Sequence, residues 1–284
     1  MPRWSKLGVI AGGGALPARI AQASAARDEP FFVIRLEGFA DETLNAFPGT
    51  DCSIGEAGKL IRILKDQACD GVVLAGLVQR PDFRKLKPDW RGAALLPKVV
   101  AAAARGDGAL LSVLVDTLES EGFIVVGAEE VTRDLIAPEG AFGAIAPEDH
   151  HHADVKKAAA VVRALGQFDI GQGAVVADGL VLAVEAAEGT DAMLERCAAL
   201  DDNFRGGAEP NGVLVKRPKP GQELRVDLPT IGVDTVKAAA RAKLAGVAVE
   251  AGRTLVMDLE ATTRIADDLG LFVYGFSSSE VREA

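Results

Sequence analysis

With 284 residues the chain has room for one large domain or two of ordinary size, each with its own core. Its 49% hydrophobic and 25% charged residues are ordinary for a folded soluble protein. A formal charge of −10 and a pI near 4.9 exclude a general nucleic-acid binder and a polybasic membrane anchor, both of which need a basic face.

Aromatics make up only 5%, so a ring-rich protein interface or a base-stacking platform is not expected. Three cysteines (Cys52, Cys69, Cys197) without CxxC spacing suggest neither a disulfide framework nor a zinc site. No segment reaches the roughly 18–20 apolar residues of a membrane-spanning helix. The opening Met1-Pro2-Arg3-Trp4-Ser5-Lys6 lacks the apolar core and cleavage site of a signal peptide. A cytoplasmic protein is expected.

The first half alternates short apolar strands with helices. Leu7–Ala11 reads as a strand, Gly12-Gly13-Gly14 as a turn, and Ala15–Ala26 as a helix with Pro17 in its tolerant first turn. Strands follow at 31–34, Gly71–Ala75 and 123–126, with helices over 56–68, 95–104 and 107–121. Wholly apolar strands separated by helices predict an α/β fold, a Rossmann-like N-terminal domain with a mostly parallel sheet. Pro138, Gly140, Gly143 and Pro147 break both periods. The domains are therefore drawn as 1–130 and 151–284, with a linker over 131–150.

Beyond the linker a helix returns over 153–165. Runs at 174–177 and Leu180–Val184 flank Asp178-Gly179, a hairpin signal. Strands at Val213–Lys216, 224–227 and 271–274 and helices over 234–244 and 260–269 complete a C-terminal α+β domain with a mixed sheet.

Several motifs carry candidate chemistry. Gly12, Gly13 and Gly14 stand between a strand and a helix, where backbone N–H groups can cradle a phosphate or simply make a tight turn. Pro17 occupies the third glycine position of the dinucleotide fingerprint, which this is not. Gly76, Gln79 and Arg80 lie at the carboxyl end of a central strand, where open α/β sheets bind ligands, or else form a solvated loop. Lys98 and Arg105 add positive charge downstream. His150-His151-His152 has no partner at ligand spacing and reads as an exposed run heading a helix.

Carboxylates gather in the second domain. Glu185, Glu188 and Asp191 come off a strand and turn into a helix that Thr190 could cap, and such crowding suits a cation. Lys216, Arg217 and Lys219 beside Pro218 and Pro220 make a stiff basic loop suited to anions, with Gln222 following. Asp227 ends a strand ahead of a helix capped by Thr230 or Asp234. There it could hold Mg²⁺, orient a water, or simply shape the approach to the helix.

Asp169-Ile-Gly-Gln172-Gly-Ala-Val-Val176, Glu185-Ala-Ala-Glu188-Gly-Thr190-Asp191 and Val226-Asp227-Leu-Pro-Thr-Ile-Gly232 resemble the LpxI-type UDP-2,3-diacylglucosamine pyrophosphatases of Gram-negative lipid A synthesis. So do Gly12-Gly-Gly-Ala-Leu-Pro17 and Gly76-Leu-Val-Gln-Arg-Pro-Asp-Phe83, and the match runs in order along essentially the whole chain. The resemblance implies two domains with substrate between them, and Mg²⁺-dependent hydrolysis to 2,3-diacylglucosamine 1-phosphate (lipid X) and UMP. It implies water attack on the sugar-side phosphorus, and it maps the family's essential aspartate onto Asp227. On this reading Asp227 is catalytic, and Asp227, Glu188 and Asp191 hold the metal. Gly12, Gly13, Gly14, Gly76, Gln79, Arg80, Lys98, Gln172, Thr190, Lys216 and Gln222 bind substrate. The reading allows a homo-oligomer and a peripheral inner-membrane contact for lipid delivery, and expects no nucleic acid.

Three rivals are weighed against it. A nicotinamide-dependent nucleotide-sugar oxidoreductase is opposed by Pro17 and by the absence of a Tyr-Lys or Cys signature. A non-enzymatic lipid or nucleotide-sugar carrier would gain nothing from carboxylates around an anionic ligand. A calcineurin-like two-metal enzyme needs dispersed histidines, and all three here are adjacent.

Overall fold

The structure, a computed structural model, describes residues 2–79, 82, 86–104, 106–205 and 207–281. It divides into two compact units, Met1–Arg133 with Glu223–Asp227, and Asp134–Gln222 with Leu228–Ala284.

The first unit runs β1 (Leu7–Ala11), α1 (Ala15–Ala26), β2 (Phe31–Leu36), β3 (Gly49–Cys52), α2 (Ala57–Asp66), β4 (Gly71–Ala75), α3 (Trp90–Ala103), α4 (Asp107–Ser120), β5 (Ile124–Val125) and α5 (Ala128–Val131). Its sheet has the order β3-β2-β1-β4-β5 with every pairing parallel. Both faces are covered, which is why β1 is apolar throughout. Ile10, Ile34 and Val72 pack with Ile61 and Leu64 of α2 and Val115 and Leu118 of α4. Side chains alternate along a strand, so the buried Val9, Val33 and Val73 serve the other face, where α1 brings Ile20 and Ala21. Asp89 ties two helices together: its carboxylate accepts from the backbone N–H of Gly92 in α3 at 2.7 Å and of Lys59 in α2 at 2.9 Å.

The second unit runs β6 (Gly140–Ala141), α6 (Asp149–Gly166), β7 (Gly173–Ala177), β8 (Leu180–Val184), α7 (Gly189–Ala198), β9 (Val213–Lys216), β10 (Thr230–Ile231), α8 (Val233–Arg241), β11 (Gly246–Glu250), β12 (Leu255–Val256), α9 (Leu259–Leu269) and β13 (Phe272–Phe276). Six strands form a mixed sheet, β6-β13-β11-β9-β7-β8, in which β13, β11 and β9 are parallel and the other pairings antiparallel. Val175, Leu214, Val247 and Val249 face α7, α8 and α9 through Met193, Val236 and Ala266. Ala174, Val176, Val213, Val215 and Ala248 face α6 through Val155, Ala158 and Val162. The period of two along each strand thus sorts one sheet into two cores.

The Asp178-Gly179 hairpin forms with both residues at positive φ (47° and 76°), as a primed two-residue turn requires. Both their N–H groups bond the Asp154 carboxylate, at 2.9 and 2.7 Å.

Several elements differ from expectation. Residues 224–227 make no strand: Leu224–Val226 is a turn, in which the N–H groups of Val226 and Asp227 both reach the Glu223 carbonyl at 3.2 Å. Strands β3, β10, β11 and β12 lie where none was expected. The stretch read as linker carries β6, which pairs with β13. His151 is buried against Phe272, with its Nδ1 accepting from the Glu148 N–H at 3.1 Å, so the histidine run is not wholly exposed.

Candidate active site

Four residues read from the sequence as substrate-binding, Gln172, Thr190, Lys216 and Gln222, lie in one network of the second unit with Glu185 and Lys219. Lys216 ends β9 and sits in register with Gly173, so Gln172 lies at the same end of the sheet, as does Glu185 just past β8. The Lys216 ammonium donates to Thr190 Oγ1 at 2.7 Å and to the Thr230 carbonyl at 3.4 Å. Thr190 Oγ1 donates to Glu185 Oε1 at 3.0 Å, and the Gln172 N–H reaches Glu185 Oε2 at 3.3 Å. Gln222 Nε2 donates to Gln172 Oε1 at 3.4 Å, while its own Oε1 accepts from the Lys219 N–H at 2.7 Å. Lys219 in turn pairs with Asp169 at 2.5 Å.

An ammonium can only donate, so the Thr190 hydroxyl must point its proton at Glu185. The result is a directed Lys-Thr-Glu relay whose two charges are only 6% and 7% exposed. Gly171, at φ +55°, makes room for it: a Cβ there would lie 2.0 Å from the Glu185 carbonyl. Thr190, which could have capped α7, is instead the second residue of that helix; the N-cap is Glu188, which makes no side-chain cap bond, and the Thr190 hydroxyl is held by Lys216 and Glu185.

On the same end of the sheet a second buried cluster surrounds Glu250, which closes β11 and is fully buried. Its Oε1 accepts from Ser278 Oγ at 2.5 Å and lies 3.2 Å from an Arg253 nitrogen. Its Oε2 lies 3.0 Å from Arg217 Nε, an ion-pair distance, although the N–H is not aimed along it and neither atom makes an oriented hydrogen bond. Burial works against the charge on Arg217, and Glu250 supports it.

In the first unit β1 and β4 are neighbours at the point where the strand order reverses. Gly12–Gly14 and Gly76–Gln79 therefore leave adjacent carboxyl ends, the usual ligand position in such sheets. The two loops are stitched together: Gly13 and Leu77 exchange both backbone hydrogen bonds at 2.8 Å, and the Gly12 N–H bonds the Ala75 carbonyl at 2.8 Å. A cradle using the N–H groups of Gly12 and Gly13 is not formed, since both are committed to main chain. Gly76 is required for the close approach. It sits at φ +91°, and a Cβ would meet the Gly13 carbonyl oxygen at 2.5 Å and Pro17 Cγ at 2.8 Å. Gln79 and Lys98 are exposed, and Arg80 and Arg105 lie outside the described residues. Asp227 belongs to this unit as the last residue of Glu223–Asp227, while Gln222 and Leu228 on either side of that segment belong to the other.

Comparison with known proteins accounts for both halves. Residues 6–135 match the family model described as LpxI N-terminal domain, and 138–274 match the LpxI C-terminal domain. A protein of Caulobacter vibrioides named UDP-2,3-diacylglucosamine pyrophosphatase LpxI is 54% identical over 276 residues, 97% of this chain and 99% of that protein. The chain belongs to the LpxI family.

In this LpxI-family chain two of the carboxylates expected to hold Mg²⁺, Glu188 and Asp191, lie close together in sequence in the second unit. Glu188 is paired with Arg196 at 2.5 Å; its own backbone N–H and the guanidinium hold its carboxyl below the usual range. Asp191 is exposed in the first turn of α7. Among the described residues no group of three or more His, Cys, Asp or Glu is placed to hold a metal ion. Within the second unit Glu188 and Asp191 therefore build no protein cage of their own. They are compatible with the commoner Mg²⁺ arrangement, one or two carboxylates supplemented by phosphate oxygens and water.

Sequence reasoning missed Glu250 and gave Glu185 no place among the substrate-binding residues. An acidic residue closing an otherwise apolar run, as in Gly246-Val-Ala-Val-Glu250 and Leu180-Val-Leu-Ala-Val-Glu185, is the signal that could have found both. Among the described residues no helix is long and apolar enough to cross a membrane.

Proposed function

We propose that this chain hydrolyses the pyrophosphate bond of UDP-2,3-diacylglucosamine, releasing 2,3-diacylglucosamine 1-phosphate and UMP in lipid A synthesis. The observation that carries the reading is the 54% identity, end to end, with the protein named for that activity. Lys216 supplies a positive charge for the phosphates. It is held in one direction by Thr190 and Glu185, so little reorganisation is needed when charge develops. Gln172 and Gln222 present amides beside it. Asp227 is the carboxylate assigned to the attacking water or to Mg²⁺. Asp227 is the residue that would hold Mg²⁺, and a bound Mg²⁺ would help to offset charge on the leaving phosphate. A peripheral lipid contact for substrate delivery belongs to the same reading.

Incubation with UDP-2,3-diacylglucosamine, with and without Mg²⁺, tests it by the appearance of UMP. Release of UMP that depends on Mg²⁺ is expected. Stoichiometric binding without UMP in the presence of Mg²⁺ would instead make the chain a carrier.

A further inference from the structure

Residues 223–227 leave the body to which their sequence neighbours belong. Gln222 and Leu228 are both part of the second unit, but Glu223–Asp227 packs as part of the first. Two contacts of different kinds hold this short excursion. Val226 is partly buried against the apolar cluster that contains Val115, Leu118 and Phe123. Arg225 places its guanidinium between two carboxylates: Nε and Nη2 bond Glu223 at 2.9 and 2.7 Å, and Nη1 bonds Glu119 in the last turn of α4 at 2.5 Å. The same Glu223 fixes the turn from inside, its carbonyl accepting from Val226 and Asp227 and its carboxylate from the Arg225 N–H at 3.3 Å.

We propose that Arg225, gripping Glu119 and Glu223, is the positioning residue that fixes Asp227 to the first unit. Val226 supplies adhesion without direction, since apolar contact tolerates sliding. A guanidinium forked onto Glu223, with its remaining nitrogen on the helix residue Glu119, does not, because its hydrogen bonds are planar and directional. All three side chains are partly exposed (Arg225 32%, Glu119 43%, Glu223 21%), so the grip adds little to global stability. Its effect is local, on where the Asp227 carboxylate stands. A catalytic group displaced by about 1 Å can lose up to about a hundredfold in rate.

The proposal rests on the functional reading only for its kinetic consequence, so two measurements are paired. Amide hydrogen exchange of a peptide covering 223–228 is compared among wild type, Glu119→Gln and Arg225→Gln. UMP release is measured for the same proteins, for the Glu119→Gln/Arg225→Gln double variant and for Arg225→Lys. Faster exchange in this peptide and unchanged exchange elsewhere are expected in both single variants. In turnover we expect kcat to fall about tenfold with KM within twofold, the double variant to be no slower than Arg225→Gln, and Arg225→Lys to fall between. Exchange and kcat both within twofold of wild type in the single variants would overturn the proposal. So would a kcat loss that the double variant compounds multiplicatively. Loosened exchange in a chain whose wild type releases no UMP leaves the grip standing and removes the functional reading instead.

Discussion

The Lys216 ammonium and the Thr190 hydroxyl, 26 residues apart in sequence, lie 2.7 Å from one another, and that contact forces the hydroxyl proton onto Glu185. Thr190→Val keeps the shape and deletes the middle of the relay. It leaves a buried ammonium and a buried carboxylate each short of a partner, a cost of about 1–3 kcal/mol. Urea denaturation should report that loss, and kcat should fall with it. Thr190→Ser, which retains the hydroxyl, should recover most of both.

Asp227→Ala should leave a folded protein that binds substrate but turns over at least ~10²-fold more slowly, the scale of a lost acid–base group. Near-normal UMP release by that variant would take Asp227 out of the chemistry.

Gly76→Ala meets two penalties at once, a positive φ of 91° and a Cβ 2.5 Å from the Gly13 carbonyl oxygen. A side chain at such a strained backbone position costs about 1–3 kcal/mol before any clash. Equilibrium unfolding is the check, and an unchanged midpoint would mean that the β1 and β4 loops are not stitched as described.

Glu250→Gln removes the only carboxylate paired with Arg217 among the described residues, and does so in a fully buried place. Stranding a buried charge in this way costs about 3–5 kcal/mol. The Arg217→Met/Glu250→Met double variant should recover much of the stability, because it removes both desolvated charges. If Glu250→Gln unfolds at the wild-type denaturant concentration, the pair does not support this end of the sheet.

Asp89 gives a pH dependence with a definite sign. Burial pushes its carboxyl up, but the N–H groups of Gly92, Lys59, Gly58 and Arg91 outweigh it, and the net shift is downward. A folded-state value below the unfolded one means the contribution is complete above about pH 4 and is lost as pH falls through the folded value. Asp89→Ala should cost about 1–2 kcal/mol at neutral pH, typical of a lost helix cap, and should flatten this part of the acid transition. An acid limb identical to wild type would contradict the capping role.

Much of this molecule can be read from local pattern. The parallel half follows from apolar runs such as Leu7–Ala11, and the primed hairpin follows from Asp178-Gly179, because both signals lie within a few residues. Gln172, Thr190, Lys216 and Gln222 were marked because they stand in distinctive motifs, and the strand register then brought them together. What local pattern could not supply was long-range pairing. Glu250 reaches Arg217 only because β11 lies beside β9, and nothing within ten residues of either indicates it. The alternation of Leu224, Val226 and Leu228 imitates a strand, yet Val226 is apolar because it packs against residues more than a hundred positions away. Thr190 could be read as a cap since threonine so often is one, but it stands inside α7, and a lysine from β9 holds its hydroxyl.

The return of residues 223–227 to the first unit means the two bodies cannot be separated by a single cut. The chain passes between them at 133/134, 222/223 and 227/228. A fragment ending at Arg133 would lack Val226 and expose part of the apolar surface formed by Val115, Leu118 and Phe123. The complementary fragment would carry an orphaned pentapeptide. Gene fusion or domain exchange at the apparent boundary would therefore strip the first body of a segment that its own apolar surface packs against.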